Sequence, residues 1–334
     1  MSLSAARTRV AVVGATGYAG QELVRLLARH PAVEITIATA SQATSTPRRL
    51  PALARIWDGD VQPLDPDEVM RVADVVFLAL PEAASAATAP PLVAAGRRVV
   101  DLSGAFRIRD GAVRAKWYPA TADMPDGVAY GLTEFEGAAV GAARLVANPG
   151  CYPMASLLGT LPLACAGLLA GGDVVIDAKS GISGAGKVPS DRTHFSENHG
   201  SVAAYAAFGH RHTPEMEQAL GRPVTFVPHL VPLDRGLLSS IYLRLVPGTT
   251  DAQIAEAFAR AYHTAPFVRV TGAALPEIKQ VAWTNFCDIG WKLDEATGRA
   301  VIVSVIDNLL KGAAGSAVQN FNVMMGIDER AGLL

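Results

Sequence analysis

Apolar residues run unbroken in short stretches along the first half of the chain. Val10, Ala11, Val12 and Val13 stand in a row within Arg9 to Val13, as in a parallel strand covered on both faces. Gly14, Gly17 and Gly20 follow at once. Ala19, Leu23, Leu26 and Leu27 then recur at helical spacing, and Pro31 closes the predicted helix. Val33 to Thr39 is rich in β-branched residues and predicts a second strand. Val72 to Leu80 and Arg98 to Leu102 predict further buried strands. Strands alternating with helices imply a parallel, doubly wound sheet.

The pattern changes near Asn148. Met154 to Leu169 reads as an apolar helix, and Val174 to Ala178 as a strand. Leu237 to Val246 alternates, which predicts an antiparallel strand. Asp251 to Thr264 predicts a helix with Asp251 as its N-cap. Val301 to Ile306 is a further strand, and Ala313 to Met325 a last helix. The predicted organisation is a dinucleotide-binding domain over 1–148, a second α/β domain over 149–312 and a C-terminal helical segment over 313–334.

Composition narrows the function classes. The 334 residues are half apolar and 18% charged, which excludes a disordered or collagen-like chain. Lys and Arg total 29 against 31 Asp and Glu, so neither nucleic acid nor an anionic membrane is expected as partner. Cys151, Cys165 and Cys287 are too few and scattered for a disulfide framework, and they lack C-x-x-C spacing. A cytoplasmic setting is expected. The apolar run before Gly14 is too short for a secretory signal. The stretch Leu157 to Ala170, broken by Gly159, Pro162 and Gly167, is too short to cross a bilayer.

The first chemical candidate is the turn Gly14-Ala15-Thr16-Gly17-Tyr18-Ala19-Gly20. Between a buried strand and an amphipathic helix, such glycines let backbone N–H groups approach a pyrophosphate. An NAD site places an acid at the end of the second strand. Here Thr39, Ala40, Ser41 and Gln42 stand there instead. Ser41 with Arg48 or Arg49 suits a 2′-phosphate, which favours NADP(H).

The second candidate is Cys151 in Asn148-Pro149-Gly150-Cys151-Tyr152-Pro153. A thiol at a helix N-terminus has a lowered pKa. Cys165 and Cys287 read as small buried apolar residues. His210 and His212, in Gly209-His210-Arg211-His212-Thr213-Pro214-Glu215, suit acid–base work; no metal set completes around them. Both face one side if the segment is extended and diverge if it is a helical turn. His30 and His263 read as surface residues, while His194, His199 and His229 stay open. Ser103 and Arg107 follow a predicted strand and suit an anion beside the cofactor. The loop Ser180 to Lys187 is either a mobile element near substrate or a turn. Together these features suggest a thiolate that attacks an acyl phosphate, releases phosphate and leaves a thioester for NADPH to reduce.

These motifs, with Asp307-Asn308-Leu309-Leu310-Lys311-Gly312-Ala313, resemble the N-acetyl-γ-glutamyl-phosphate reductases of arginine synthesis, relatives of aspartate-semialdehyde dehydrogenase. The resemblance implies a Rossmann-type domain plus an α/β catalytic and dimerisation domain, with the last helix returning to the first. It implies Cys151 as nucleophile and His210 as acid–base group, since His210 follows Gly209. It implies cofactor contacts from Gly14, Thr16, Gly17, Tyr18, Ala19, Gly20, Ser41, Arg48, Ser183, Gly184 and Asn308. Substrate contacts fall to Ser103, Arg107, Asn148, His212 and Glu215. A homodimer or homotetramer is expected, with no metal. The chain departs from the family pattern at Met154, where Thr is common. Two other readings are a carrier-protein-linked aminoadipyl-phosphate reductase of lysine synthesis and a non-catalytic NADP-binding regulator. The first would need a basic surface for its carrier, and no strong basic cluster lies beyond Arg48-Arg49 and Arg97-Arg98. The second would need neither Cys151 nor His210.

Overall fold

A computed structural model describes residues 7–40, 46–121 and 123–334. The chain opens with β1 (Thr8–Val13), α1 (Tyr18–Leu27), β2 (Val33–Thr39), β3 (Val61–Gln62), α2 (Pro66–Val72) and β4 (Val75–Leu78). Next come α3 (Glu82–Ala94), β5 (Arg98–Asp101), α4 (Gly111–Trp117), β6 (Val128–Tyr130), α5 (Thr133–Ala142) and β7 (Leu145–Ala147). The middle of the chain holds α6 (Cys151–Cys165), β8 (Val174–Gly181), α7 (Phe195–Asn198), β9 (Ala203–Ala204), α8 (Thr213–Leu220) and β10 (Val224–Val231). It continues through β11 (Leu237–Arg244), α9 (Asp251–Tyr262), β12 (Val268–Gly272), β13 (Cys287–Asp294) and β14 (Arg299–Ile306) to α10 (Gly315–Met325). Two compact units result: Met1–Pro149 with Ala313–Leu334, and Gly150–Gly312.

The first unit carries a seven-stranded sheet ordered β3-β2-β1-β4-β5-β7-β6. Its strand pairs are all parallel. Burial on both faces explains the unbroken apolar runs, because Val10 to Val13 and Val75 to Leu78 are fully buried. The predicted strand from Val72 is shorter, since Val72 closes α2. The C-terminal helix returns to this unit. Ala317, Val318, Phe321 and Met324 join its core, with the Phe321 ring 5.7 Å from that of Phe77. Burying one such side chain contributes about 1.5–3 kcal/mol. The helix is anchored by polar bonds as well. Thr133 Oγ1 donates to Asn320 Oδ1 at 2.7 Å, and Asn320 Nδ2 donates to Asn148 Oδ1 at 2.9 Å. α10 starts at Gly315, not Ala313, because a π-turn over Leu310–Ala314 precedes it.

His30 was expected at the surface. It is buried instead, under Gly332 and against Phe321. Its Nδ1 accepts from Ala32 N–H at 3.2 Å, and Nε2 lies 2.9 Å from Asn322 Oδ1. No local pattern signals this, because Asn322 is 292 residues away. Burial lowers the pKa of the ring.

The second unit has a mixed seven-stranded sheet, ordered β12-β13-β14-β11-β8-β10-β9. β11 runs antiparallel to both β8 and β14, as its alternation predicts. β10 runs parallel to β8. α6 packs against β11, β14, α8 and α9. Tyr152 to Leu163 are all buried, so α6 is apolar on every side. It begins at Cys151, ahead of the predicted Met154, and ends at Cys165 rather than Leu169. Cys165, expected to be buried, is exposed because it sits on the last turn. Cys287 is buried beside Ser304. The N-cap of α9 is Thr250, not Asp251: its hydroxyl accepts from Gln253 N–H, and Gln253 answers in a capping box. Asp251 instead accepts from Trp291 Nε1 at 2.7 Å.

Candidate active site

In the first unit, the glycine turn is tied to the end of β2. Gly14 and Ala15 N–H both donate to Thr39 O, at 3.0 and 2.8 Å. Gly14 has φ of +95°, and a methyl group on it would lie 2.2 Å from Ala79 O. Only glycine fits there. Gly20 is equally constrained, since an added methyl would lie 2.1 Å from Gly14 O. Gly17 is the N-cap of α1, and no side chain caps the helix. A methyl on Gly17 would meet nothing nearer than 3.7 Å. The result is an open cradle at a helix N-terminus, which fits a dinucleotide pyrophosphate. Thr16 O accepts from Gln21 Nε2, and Tyr18 and Ala19 form the first turn. Arg48 pairs through its backbone with Val61, next to Ala38 and Thr39 at the end of β2. Its side chain is exposed. Ser41 lies outside the described residues.

In the second unit, Cys151 is the first residue of α6 and Gly150 its N-cap. The thiol meets the helix end, where partial positive charge favours thiolate. Two residues of the His210 segment hold this turn. Glu215, fully buried at the start of α8, accepts Gly150 N–H at 2.9 Å. The His212 ring lies against Gly150, so that a methyl there would come within 2.3 Å of Nε2. Gly312 packs on Cys151 so closely that a methyl on Gly312 would come within 2.8 Å of Cys151 Cβ.

The two histidines lie in a turn, yet their rings meet, with centroids 4.7 Å apart. The expected divergence fails because His212 N–H donates to His210 Nδ1 at 3.1 Å and draws the rings together. That bond fixes the neutral tautomer of His210 with its proton on Nε2, 3.4 Å from Tyr205 Oη. Tyr152, Tyr205, Phe226 and His212 surround the ring. Burial, with help from Arg211, lowers its pKa to about 4. His210 therefore lacks the near-neutral pKa that suits an acid–base group at physiological pH. One consequence is measurable. Between pH 6.5 and about 4, the unfolded chain binds a proton at His210 that the folded chain does not. Folding stability then falls as pH drops through that window. His30 acts in the same direction. His210→Asn should make denaturant midpoints fall less between pH 7 and 4.5; parallel curves for variant and parent would refute this.

Three residues expected to touch substrate have other partners here. Arg107 donates from Nε to Asn148 O and from an Nη to Leu102 O, both at 2.7 Å. Ser103 Oγ donates to Asp101 Oδ2 at 2.7 Å and accepts from Ala105 N–H. The Asn148 amide donates to Ala313 O and accepts from Ser316 and Asn320. These buried side chains fix the turn after β5 and the return of α10. Ser183 and Asn308 do come together, with Asn308 Nδ2 donating to Ser183 Oγ at 3.0 Å. Gly184 sits over Ser180 Oγ and Asn308. Asn308 Oδ1 also accepts Gly236 N–H at 2.7 Å.

Tyr152 and Tyr205 were not anticipated. Tyr152 Oη donates to His229 O at 2.9 Å, and Tyr205 Oη lies 3.4 Å from Tyr152 Oη. Burial raises the pKa of both, that of Tyr205 to about 12, so both stay protonated near neutral pH. Tyr152 follows the thiol directly and was open to notice. Tyr205 was not, because only the pairing of β9 with β10 brings it in. His229 is half-buried with Nδ1 3.2 Å from Asp177, while His194 and His199 are exposed. No group of three potential metal ligands occurs among the described residues.

A family model described as "Semialdehyde dehydrogenase, NAD binding domain" matches residues 9–143. A second, "Semialdehyde dehydrogenase, dimerisation domain", matches 151–308. An N-acetyl-gamma-glutamyl-phosphate reductase of Brevibacillus brevis is 44% identical over 97% of this chain and 97% of its own. The chain belongs to the N-acetyl-gamma-glutamyl-phosphate reductase family. The family's Bacillus subtilis member is also 44% identical, over 97% of this chain and 98% of its own. Among solved structures, aspartate semialdehyde dehydrogenase II from Vibrio cholerae aligns with a TM-score of 0.74 at 17% identity, covering 96% of this chain and 99% of that one. An aspartate semialdehyde dehydrogenase with NADP from Candida albicans gives 0.68 at 17% identity, covering 96% and 99%. Those likenesses bear on the fold. Among the described residues, no helix is long and apolar enough to cross a membrane.

Proposed function

We infer that the chain reduces N-acetyl-L-glutamyl 5-phosphate to N-acetyl-L-glutamate 5-semialdehyde with NADPH, releasing phosphate. The observation that carries the reading is Cys151 at the first position of α6, on a turn held by Glu215 and His212. Family membership at 44% identity across the chain supplies the substrate.

In this reading Cys151 is the nucleophile and His212, not His210, is the acid–base group. His212 lies on the residue before the thiol. His210 has Nδ1 occupied and a pKa of about 4. The Cys151 proton passes to the His212 imidazole. The thiolate attacks the acyl carbon, the carbon–oxygen bond to phosphate breaks, and a thioester remains. NADPH, when bound, supplies the hydride that reduces this thioester. His212 then provides the proton balance as Cys151 is expelled and the aldehyde leaves. His210, bonded to His212 N–H, positions its neighbour. The Gly14 to Gly20 turn and Arg48 would hold the dinucleotide in the first unit. Ser183 and Asn308 are proposed as further cofactor contacts.

The first unit, 1–149 with 313–334, is proposed as the cofactor domain, and 150–312 as the catalytic and self-association domain in a homodimer or homotetramer. Three free cysteines suit a cytoplasmic enzyme. Phosphate-dependent NADP⁺ reduction, with N-acetylglutamate semialdehyde run beside aspartate semialdehyde, tests the reading. Preference for the second substrate would refute it. NADPH should also bind at least about 10-fold more tightly than NADH, because a 2′-phosphate gains charge-assisted bonds. Fluorescence titration checks this. Equal affinities would take Ser41 and Arg48 out of the site.

A further inference from the structure

A cavity in the catalytic unit is not used by the chemistry above. It has a volume of about 280 Å³ and is lined by Asp191, Arg192, Glu197, Asn198, Ser201 and Ala203. Two of its groups lack a polar counterpart. The Arg192 guanidinium has neither a carboxylate nor a hydrogen-bond partner among the described residues; it stacks 4.9 Å above the Tyr205 ring. Asn198 is only 5% exposed, and its Oδ1 has no hydrogen-bond partner there. A buried acceptor left without a donor costs about 1–3 kcal/mol, so such an atom marks a place where a donor is missing. Tyr205 lies between Arg192 and the histidine pair: its ring stacks on Arg192, and its hydroxyl is 3.4 Å from both His210 Nε2 and Tyr152 Oη.

We propose that this cavity receives the amino-acid head of the substrate, with Arg192 on the α-carboxylate and Asn198 Oδ1 on the N–H of the acylated amine. The proposal rests on the function inferred above and names the part of the site that reads the substrate. The two groups demand different things of a ligand. Arg192 calls for a carboxylate, matched by its planar fork. Asn198 Oδ1 calls for a neutral or cationic N–H donor beside that carboxylate. An N-acylamino acid presents both on neighbouring atoms. Asp191 and Glu197 line the same cavity and oppose a doubly charged phosphate more strongly than a singly charged carboxylate. Arg192 and Asn198 are thus specificity residues distant from the reacting carbon.

A binding experiment on the full chain separates this proposal from the reaction. The probe is N-acetyl-L-norvaline, which keeps the head and has no reacting carbonyl at the far end. N-butylacetamide is the same molecule without its carboxylate. In calorimetric titration the parent should bind N-acetyl-L-norvaline at least about 10-fold more tightly than N-butylacetamide, the scale of one charge-assisted contact. Arg192→Gln, at an exposed position where folding is not at stake, should erase that difference and leave N-butylacetamide binding unchanged. Asn198→Ala should weaken both probes. In turnover with N-acetylglutamate semialdehyde, Arg192→Gln should raise KM about 10-fold and leave kcat within about 3-fold, as expected for a contact kept from ground state to transition state. No discrimination between the probes by the parent, or the same discrimination in Arg192→Gln, overturns the proposal. A chain that binds the probes as expected but lacks phosphate-dependent turnover overturns the inferred reaction and leaves the head-group site standing.

Discussion

Cys151→Ser is expected to lower kcat by about 10³-fold or more while NADPH affinity and the melting midpoint stay at parental values. A thousandfold corresponds to roughly 4 kcal/mol of barrier. The size follows from acid strength. A serine hydroxyl is scarcely ionised near neutral pH, and the helix N-terminus that favours a thiolate cannot bring an alcohol into that range. Serine also preserves volume beside Gly312, where the contact is close. Loss of rate therefore reports chemistry rather than packing. Steady-state turnover with fluorescence titration of NADPH checks both halves. A variant that keeps more than a tenth of parental kcat would remove Cys151 from the mechanism.

His212→Asn should come next, with kcat reduced about 10²- to 10⁴-fold, the usual contribution of a positioned acid–base group. Asparagine keeps a polar side chain over Gly150 and removes the titrating nitrogen. The acidic limb of the kcat/KM profile should change with it. His210→Asn is expected to lower kcat by less than about 10-fold, because a residue that acts through another contributes by orientation. It should alter the pH dependence of stability instead. If the large kinetic loss falls on His210→Asn, the acid–base role belongs to His210 and its lowered pKa must be raised when substrate binds. If neither variant changes kcat, the proton carrier is elsewhere, with Glu215 and Tyr205 the groups to change next.

Much of this arrangement is written in local sequence. A strand such as Val10 to Val13 is buried on both faces, so its composition alone reveals a parallel sheet. The Gly14 to Gly20 turn declares itself because neighbours in the chain require glycine: Gly14 has φ of +95°, and a methyl on Gly20 would lie 2.1 Å from Gly14 O. Cys151 was legible for the same reason, since a Pro-Gly turn leading into an apolar helix defines a helix N-terminus within a few residues.

The assignment of roles depended on contacts that no local pattern encodes. His210 and His212 look equivalent in the sequence. Tertiary folding places Tyr152, Tyr205 and Phe226 around the first, lowering its pKa by desolvation, and sets the second on Gly150. Arg107 and Asn148 carry the residue types of an anion site, yet they hold the turn after β5 and the returning helix. Their partners, Leu102 and Asn148 O for one and Ala313, Ser316 and Asn320 for the other, include residues up to 172 positions distant. The sequence by itself determined the strands, the glycine cradle and the thiol, because each depends on backbone conformation or burial within a short segment. Only the tertiary structure decided which polar side chain is free for chemistry, because a hydrogen bond formed across the fold removes a group from the site as surely as a substitution would.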